Sequence, residues 1–167
     1  MVGQNAKLIQ YFNMHPSAAR VQESLSKLGL ACEVQELPDN TASAADAAAA
    51  IGSTVSQIAK SLVLSAGQET ILVIASGSNR ISLEKISALT GQRARMARAD
   101  DIKRITGFSI GGIPPLGHDL KLRTFIDADL FNYTEIWAAA GTTHAVFRTS
   151  AQDLLKATGG EKANIKL

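Results

Sequence analysis

The sequence predicts an α+β domain built around one mixed sheet. Strand-like and helix-like segments are intermingled, without the strict alternation that marks a wholly parallel sheet. Strand-like runs also face each other across short glycine-bearing turns, which brings antiparallel hairpins into the sheet. A chain of 167 residues, 46% of them hydrophobic, can bury one core of ordinary size.

Residues 1–14 read as a loose leader, which leaves 15–167 as the folded unit. Met14-His15-Pro16-Ser17 opens a helix. Ala18, Val21, Leu25 and Leu28 recur at helical spacing, and Gly29 stops it. Cys32 to Leu37 alternates like a half-buried strand and ends in the turn Pro38-Asp39-Asn40. The seven alanines within 42–50 predict a small-residue helix closed by Gly52, with a short turn over Thr54 to Ile58. Ala59 to Leu64 and Thr70 to Ser76 then read as two strands joined through Ala66-Gly67-Gln68. Past the turn Gly77 to Arg80, Ser82 caps a helix to Leu89 that Gly91 stops. A further helix runs from Ala99 to Ile105, stopped by Gly107, and a Gly-Pro loop follows over Ser109 to Gly117. Leu122 to Ile126 is a short buried strand. Ile136 to Ala140 and Ala145 to Phe147 flank Gly141-Thr142-Thr143 as a second hairpin. Ser150, with Asp153 three residues on, opens the last helix, and Gly159-Gly160 ends it.

Composition narrows the function. The net charge of +2 is too small for global attraction to nucleic acid, so an RNA contact must come from a local patch. Aromatics are 5% of the chain, so the core is aliphatic. Cys32 is the single cysteine, which excludes an internal disulfide and a thiolate zinc site and suits a reducing cytoplasm. Three histidines without a His-x-x-x-His spacing argue against a catalytic metal. No apolar run reaches the roughly 18 residues needed to span a bilayer, and no secretory leader is expected.

Lys60 is the most informative residue. On a strand it shares a face with Ile58, Leu62 and Leu64. A lysine on so apolar a face must snorkel to water or meet an anion, because an unpaired buried ammonium is costly. The second feature is Gly111-Gly112-Ile113-Pro114-Pro115-Leu116-Gly117-His118. Two glycines allow a sharp bend and two prolines stiffen it, a form suited to aiming backbone amides at a ligand or simply to connecting helix and strand. His118 and His144 lie near loops where acid–base chemistry is conceivable, though lone histidines more often serve structure. Asp127 and Asp129 are accounted for by turn formation and helix capping. Between residues 80 and 104, Arg80, Lys85, Arg93, Arg95, Arg98, Lys103 and Arg104 oppose only Glu84, Asp100 and Asp101. Seven cations against three anions make either a solvated helical face or a contact for a phosphate backbone. No nucleophile elbow, phosphate-binding P-loop or paired-histidine motif is present.

The sequence resembles the YbaK/ProX family, related to the editing insertion of bacterial prolyl-tRNA synthetase. The resemblance rests on an ordered set of segments: Gln57 to Leu64, Ile81 to Ile86, Thr106 to Gly117, Phe125 to Leu130, and Ala140 to His144. It spans the chain from about residue 17 to the end. It implies a small, partly closed mixed sheet with helices outside, and a pocket between the lysine-bearing segment and the Gly-Pro loop. Lys60 matches the family's functional lysine, whose implied role is to hold the terminal adenosine phosphate of tRNA. Gly111 and Pro115 match a Gly-x-x-x-Pro loop whose backbone positions the aminoacyl ester, with Gly112 and Ile113 inside it. In the same motifs Ser61, Pro114, Gly117, His118, Gly141, Thr142 and Thr143 are expected around the substrate. Arg80, Arg93, Arg95 and Arg98 are candidates for RNA contact.

The activity so implied is hydrolysis of mischarged aminoacyl-tRNA in trans. It would act on tRNA-Pro or another tRNA carrying a small amino acid, with a positioned water and the substrate's own ribose hydroxyl. Neither metal nor cofactor is expected. Aminoacyl-tRNA is the expected partner, with a synthetase as a further candidate and no DNA or membrane. The late hairpin, Ala139 to His144, lacks the serine and basic residues of the cysteine-specific branch, so the amino acid removed stays open. Two other readings remain: a non-catalytic module that binds tRNA or a synthetase, and a pocket for a free amino acid or nucleotide.

Overall fold

The computed structural model describes residues 3, 6, 10–38, 41 and 43–167. Most of the leader, and Asp39 and Asn40 of the expected turn, lie outside the described residues; Gln10 to Phe12 are helical. The helices are α1 (Pro16–Lys27), α2 (Ala44–Ile51), α3 (Leu83–Thr90), α4 (Ala99–Thr106) and α5 (Ala151–Thr158). The strands are β1 (Val34–Glu36), β2 (Ile58–Ala66), β3 (Glu69–Ser76), β4 (Ala94–Met96), β5 (Arg123–Asp127), β6 (Ile136–Ala139), β7 (Ala145–Thr149) and β8 (Glu161–Ala163). Short 3-10 turns cover Val55–Gln57 and Ala128–Asn132.

Local chemistry sets the helix ends where the sequence placed them. His15 Nδ1 accepts from Ser17 N–H at the start of α1, and Pro16 supplies the fixed φ of a first turn. Ser43, Ser82 and Ser150 cap α2, α3 and α5 by accepting from the backbone N–H three residues on. Leu28 falls at the C-cap of α1 and is largely exposed rather than packed, unlike Ala18, Val21 and Leu25.

The strands form a single mixed sheet in the order β1-β7-β6-β2-β3-β5-β8, with β4 added to β2. The mixed α+β domain expected from the sequence is thus the one adopted. β2–β3, β6–β7, β1–β7 and β2–β4 are antiparallel, whereas β2–β6, β3–β5 and β5–β8 are parallel. β3 is interior, and Ile71 to Ser76 are all buried; the apolar run Ile71 to Ala75 suits a strand with neighbours on both edges and both faces.

Alternation along β2 divides the core. Ala59 and Val63, with Leu72, Ile74, Ile126 and Phe147, face Val21 and Leu25 of α1, Ile102 of α4 and Leu154 of α5. Leu64 and Ala66, with Ile71, Val73 and Phe125, face Ile86 of α3 and Ile165. A smaller cluster joins Ala48 of α2 to Ile58, Trp137 and Val146.

β4 and β8 were not legible in the sequence. Each is three residues long, β4 with one charged member and β8 with two, so neither shows an apolar run or an alternation long enough to read. β4 falls within the basic stretch and makes part of it a sheet edge, where a helical face was one of the two expectations.

Candidate functional site

The pairing of β2 is uneven, and the unevenness makes a cavity. Along one edge β3 pairs with it from Ala59 to Ala66. Along the other, β6 pairs only at Ile58 and Ala59, and β4 only from Leu64 to Ala66. Between β6 and β4 the edge is open. A cavity of about 360 Å³ lies at this gap, walled by β2 from Ile58 to Val63, by Met96 and Ala97, by Ala138 and Ala139, and by Ser43, Ala44 and Ala47 at the start of α2.

Backbone parity fixes which groups of β2 face the gap. The Ile58 carbonyl accepts from Gly77 N–H at 2.7 Å, on the β3 side. The Val63 carbonyl accepts from Ala97 N–H at 3.1 Å, on the other. Successive residues of a strand turn their N–H and C=O to alternate edges, so residues 59, 61, 63 and 65 all face the broken edge. Ala59 is satisfied by β6, and residue 97 meets the Val63 carbonyl but leaves the Val63 N–H without a partner among the described residues. Ser61, midway, has no backbone partner among the described residues. Its hydroxyl is also buried without a hydrogen bond.

Lys60 lines the cavity, half-buried, with no ion pair among the described residues. The opposite wall comes from the Gly-Pro loop through Gly111 and Ile113, and from the second hairpin through Thr142 and Thr143. Loop and hairpin are joined by Gly141 N–H donating to the Gly112 carbonyl at 2.9 Å. The approach is close enough to demand glycine. A Cβ on Gly112 would stand 2.7 Å from the backbone N and Cα of Thr142.

The loop is pinned from behind. His118 Nε2 lies 2.7 Å from the Pro114 carbonyl, an arrangement in which the ring N–H donates. Burial lowers the His118 pKa from its ordinary value, the backbone hydrogen bond opposing this, so the ring is held neutral. Its edge meets Phe108, and the Arg20 guanidinium covers the same phenyl ring at 4.5 Å while donating to the Gly117 carbonyl at 3.1 Å and pairing with Asp119. Thr106 Oγ1, fully buried, bonds both the Ile102 carbonyl and Phe108 N–H at the loop's entry.

Of the residues singled out in the sequence, Lys60, Ser61, Gly111, Ile113, Thr142 and Thr143 line this one cavity. Gly112 and Gly141 form the joint behind it. Pro114 is buried beneath the loop. Pro115, Gly117 and His118 instead line a second cavity of about 400 Å³, on the α1 and α5 side, walled by Leu28, Leu116, Leu120 and Leu122. That cavity is of similar size, and its hydroxyls at Ser24, Thr124 and Thr158 are bonded to backbone carbonyls. Arg93, Arg95 and Arg98 are exposed along β4 and its flanks, next to Met96 at the cavity, whereas Arg80 lies apart beside the C-terminal residues. His144 contributes its backbone, its carbonyl accepting from Leu37 N–H at 2.7 Å.

Asp127 accepts from Ser76 N–H, Asn79 Nδ2 and Asp129 N–H, which ties β3 to β5 in the manner of a turn and cap. Asp129 takes Asn79 and Lys166, whose hydrogen bonds hold its carboxyl below the usual range. No three metal-ligating side chains converge among the described residues. Nor is any helix among them long and apolar enough to cross a membrane. Sequence reasoning missed the walls supplied by Met96, Ala97, Ile102 and Trp137, and the vacant main-chain groups of Ser61, none of which carries a local signal.

A model of the aminoacyl-tRNA editing domain matches residues 38–157. A crystal structure provisionally described as a trans-editing enzyme for prolyl tRNA synthetase superposes with a TM-score of 0.91 at 42% identity, covering 93% of this chain and 99% of that one. The uncharacterized protein YwhH of Bacillus subtilis is 29% identical over 123 residues, 73% of this chain and 78% of YwhH. EbsC of Enterococcus faecalis, provisionally named a Cys-tRNA(Pro)/Cys-tRNA(Cys) deacylase, is 25% identical over 126 residues, 74% of this chain and 76% of EbsC.

Proposed function

This chain belongs to the aminoacyl-tRNA editing domain family, and from that premise we propose that it hydrolyses the ester of mischarged tRNA in trans, at the cavity beside β2. The observation that carries the reading is a half-buried lysine without an anionic partner among the described residues, set opposite a rigid, glycine-jointed loop. In this reading Lys60 holds a phosphate of the 3′-terminal nucleotide through a charge-assisted contact. The Gly111 to Ile113 wall then fixes the aminoacyl group and a water. The water oxygen attacks the ester carbonyl carbon, the bond to the ribose oxygen breaks, and the ribose oxygen takes the proton. Free amino acid and tRNA leave. Ser43, at the cavity wall, donates its hydroxyl to the Asp46 carboxylate at 2.8 Å but is engaged as the cap of α2, so in this reading positioning and the substrate's neighbouring ribose hydroxyl would carry the rate. The exposed Arg93, Arg95 and Arg98 would meet the tRNA backbone. The structural relative described for prolyl tRNA synthetase supports tRNA-Pro as the first substrate to try.

The test is a panel of tRNAs charged with alanine, serine, threonine and cysteine, with release of the amino acid as readout. Lys60→Ala is expected to lower kcat/KM by about a hundredfold, on the order of a lost charge-assisted contact to a phosphate, with the melting temperature little changed. Salt-sensitive tRNA binding without any release would instead establish a non-catalytic binding module.

A further inference from the structure

We propose that the aminoacyl group docks as the missing rung of the sheet, exchanging two main-chain hydrogen bonds with Ser61. The inference rests on the hydrolase reading above and names how that site recognises its substrate. Among the described residues, the broken edge of β2 leaves the N–H and C=O of Ser61, with the Val63 N–H beside them, without main-chain partners between the last pair with β6 and the Val63–Ala97 bond, and Ser61 alone offers both groups. In an antiparallel ladder such a residue exchanges both bonds with one partner residue, N–H to C=O and C=O to N–H. An aminoacyl ester carries that same pair. Its α-ammonium is a donor and its carbonyl an acceptor, separated by one Cα as in any residue of a strand. The ammonium therefore donates to the Ser61 carbonyl, and the Ser61 N–H donates to the ester carbonyl oxygen. As water adds, that oxygen gains negative charge, and a fixed donor on it strengthens in the transition state. The same strand-addition chemistry lets sheet edges bind peptides; here the added strand is a single residue long.

The pairing also orients the side chain. Partners directly opposite in a ladder place their side chains on one face. The side chain of the amino acid to be removed then lies beside the Ser61 hydroxyl, a buried group without a hydrogen-bond partner among the described residues. Its neighbours on that face of β2 are Ala59 and Val63, so the site takes L-amino acids with small side chains.

The direct probe is an inert analogue, 3′-(L-alanylamino)-3′-deoxyadenosine 5′-monophosphate, in which an amide replaces the ester. Titrated into 15N-labelled protein, it is expected to move the Ser61 amide proton downfield more than any other β2 amide and to slow its exchange. A Ser61 amide that does not move overturns the proposal, whether or not other residues respond. Replacing Ser61 by its α-hydroxy acid exchanges the N–H for oxygen. It is expected to lower kcat on charged tRNA by about a hundredfold, the order seen when a single oxyanion donor is removed. The same exchange at Leu62, whose N–H faces β3, should lower the melting temperature further than the one at Ser61. Wild-type kcat in the Ser61 variant overturns the proposal. The two readings separate cleanly. A protein that engages the analogue through Ser61 yet leaves esters intact loses the hydrolase reading alone, and one that hydrolyses esters with the Ser61 amide unmoved loses the rung alone.

Discussion

The two edges of β2 have opposite fates. Toward β3 every residue from Ala59 to Ala66 is paired, and Ile71 to Ser76 of β3 are buried on both faces. Toward β6 and β4 the pairing stops and restarts, and the interval holds the cavity, Lys60 and the vacant groups of Ser61. The sealed edge concentrates stability, whereas the broken one leaves polar groups unmet, which costs free energy unless a ligand meets them. Substitutions on the two edges should therefore separate folding from activity.

The largest effect on stability is expected on the sealed side. Leu72→Ala empties a fully buried position in β3 and should cost about 2–5 kcal/mol. Denaturant unfolding measures this, and the fraction still folded should retain its kcat. A large fall in kcat per folded molecule would show that the two edges are not independent. Gly112→Ala acts at the broken side. Its Cβ would meet the Thr142 backbone at 2.7 Å, so the loop and hairpin must part. The expected result is a stability loss of about 1–3 kcal/mol with at least a tenfold fall in kcat/KM. Unchanged kinetics would mean that the joint does not shape the cavity.

The smallest effect concerns the brace behind the loop. Burial holds the His118 pKa below 6.5 in the folded protein, and the unfolded chain binds the proton more readily. Stability contributed by the neutral ring is present above that value and is lost as pH falls through it toward the folded pKa. His118→Gln keeps a donor for the Pro114 carbonyl and removes the titration. Its melting temperature should fall less than that of the wild type between about pH 7.5 and pH 5.5, a window set around the ordinary histidine value. Equal slopes would show that His118 carries its charge without cost in the fold.

Much of this was written locally. Ser82 and Gly91 bound α3, and Ser150 and Gly159 bound α5, because a cap needs only its own turn of chain. Lys60 stood out because a charge within an apolar run is anomalous wherever the strand ends up. The bend at Gly111-Gly112 stood out because those residues suit few other conformations. His118 was legible as a residue that either meets the substrate or braces the loop, and the choice between them was not, since its partner at Pro114 depends on how the loop folds back.

Alternation, caps and the unusual lysine are properties of neighbouring residues, and the sequence alone determined them, together with the mixed α+β class. The gap did not belong to that set. It exists because β6 leaves β2 after Ala59 while β4, three residues of mostly exposed chain, joins only at Leu64. Register between segments far apart in the chain is set by the packing of whole faces and by loop lengths, so only the tertiary structure could decide that Ser61 would be left facing a cavity.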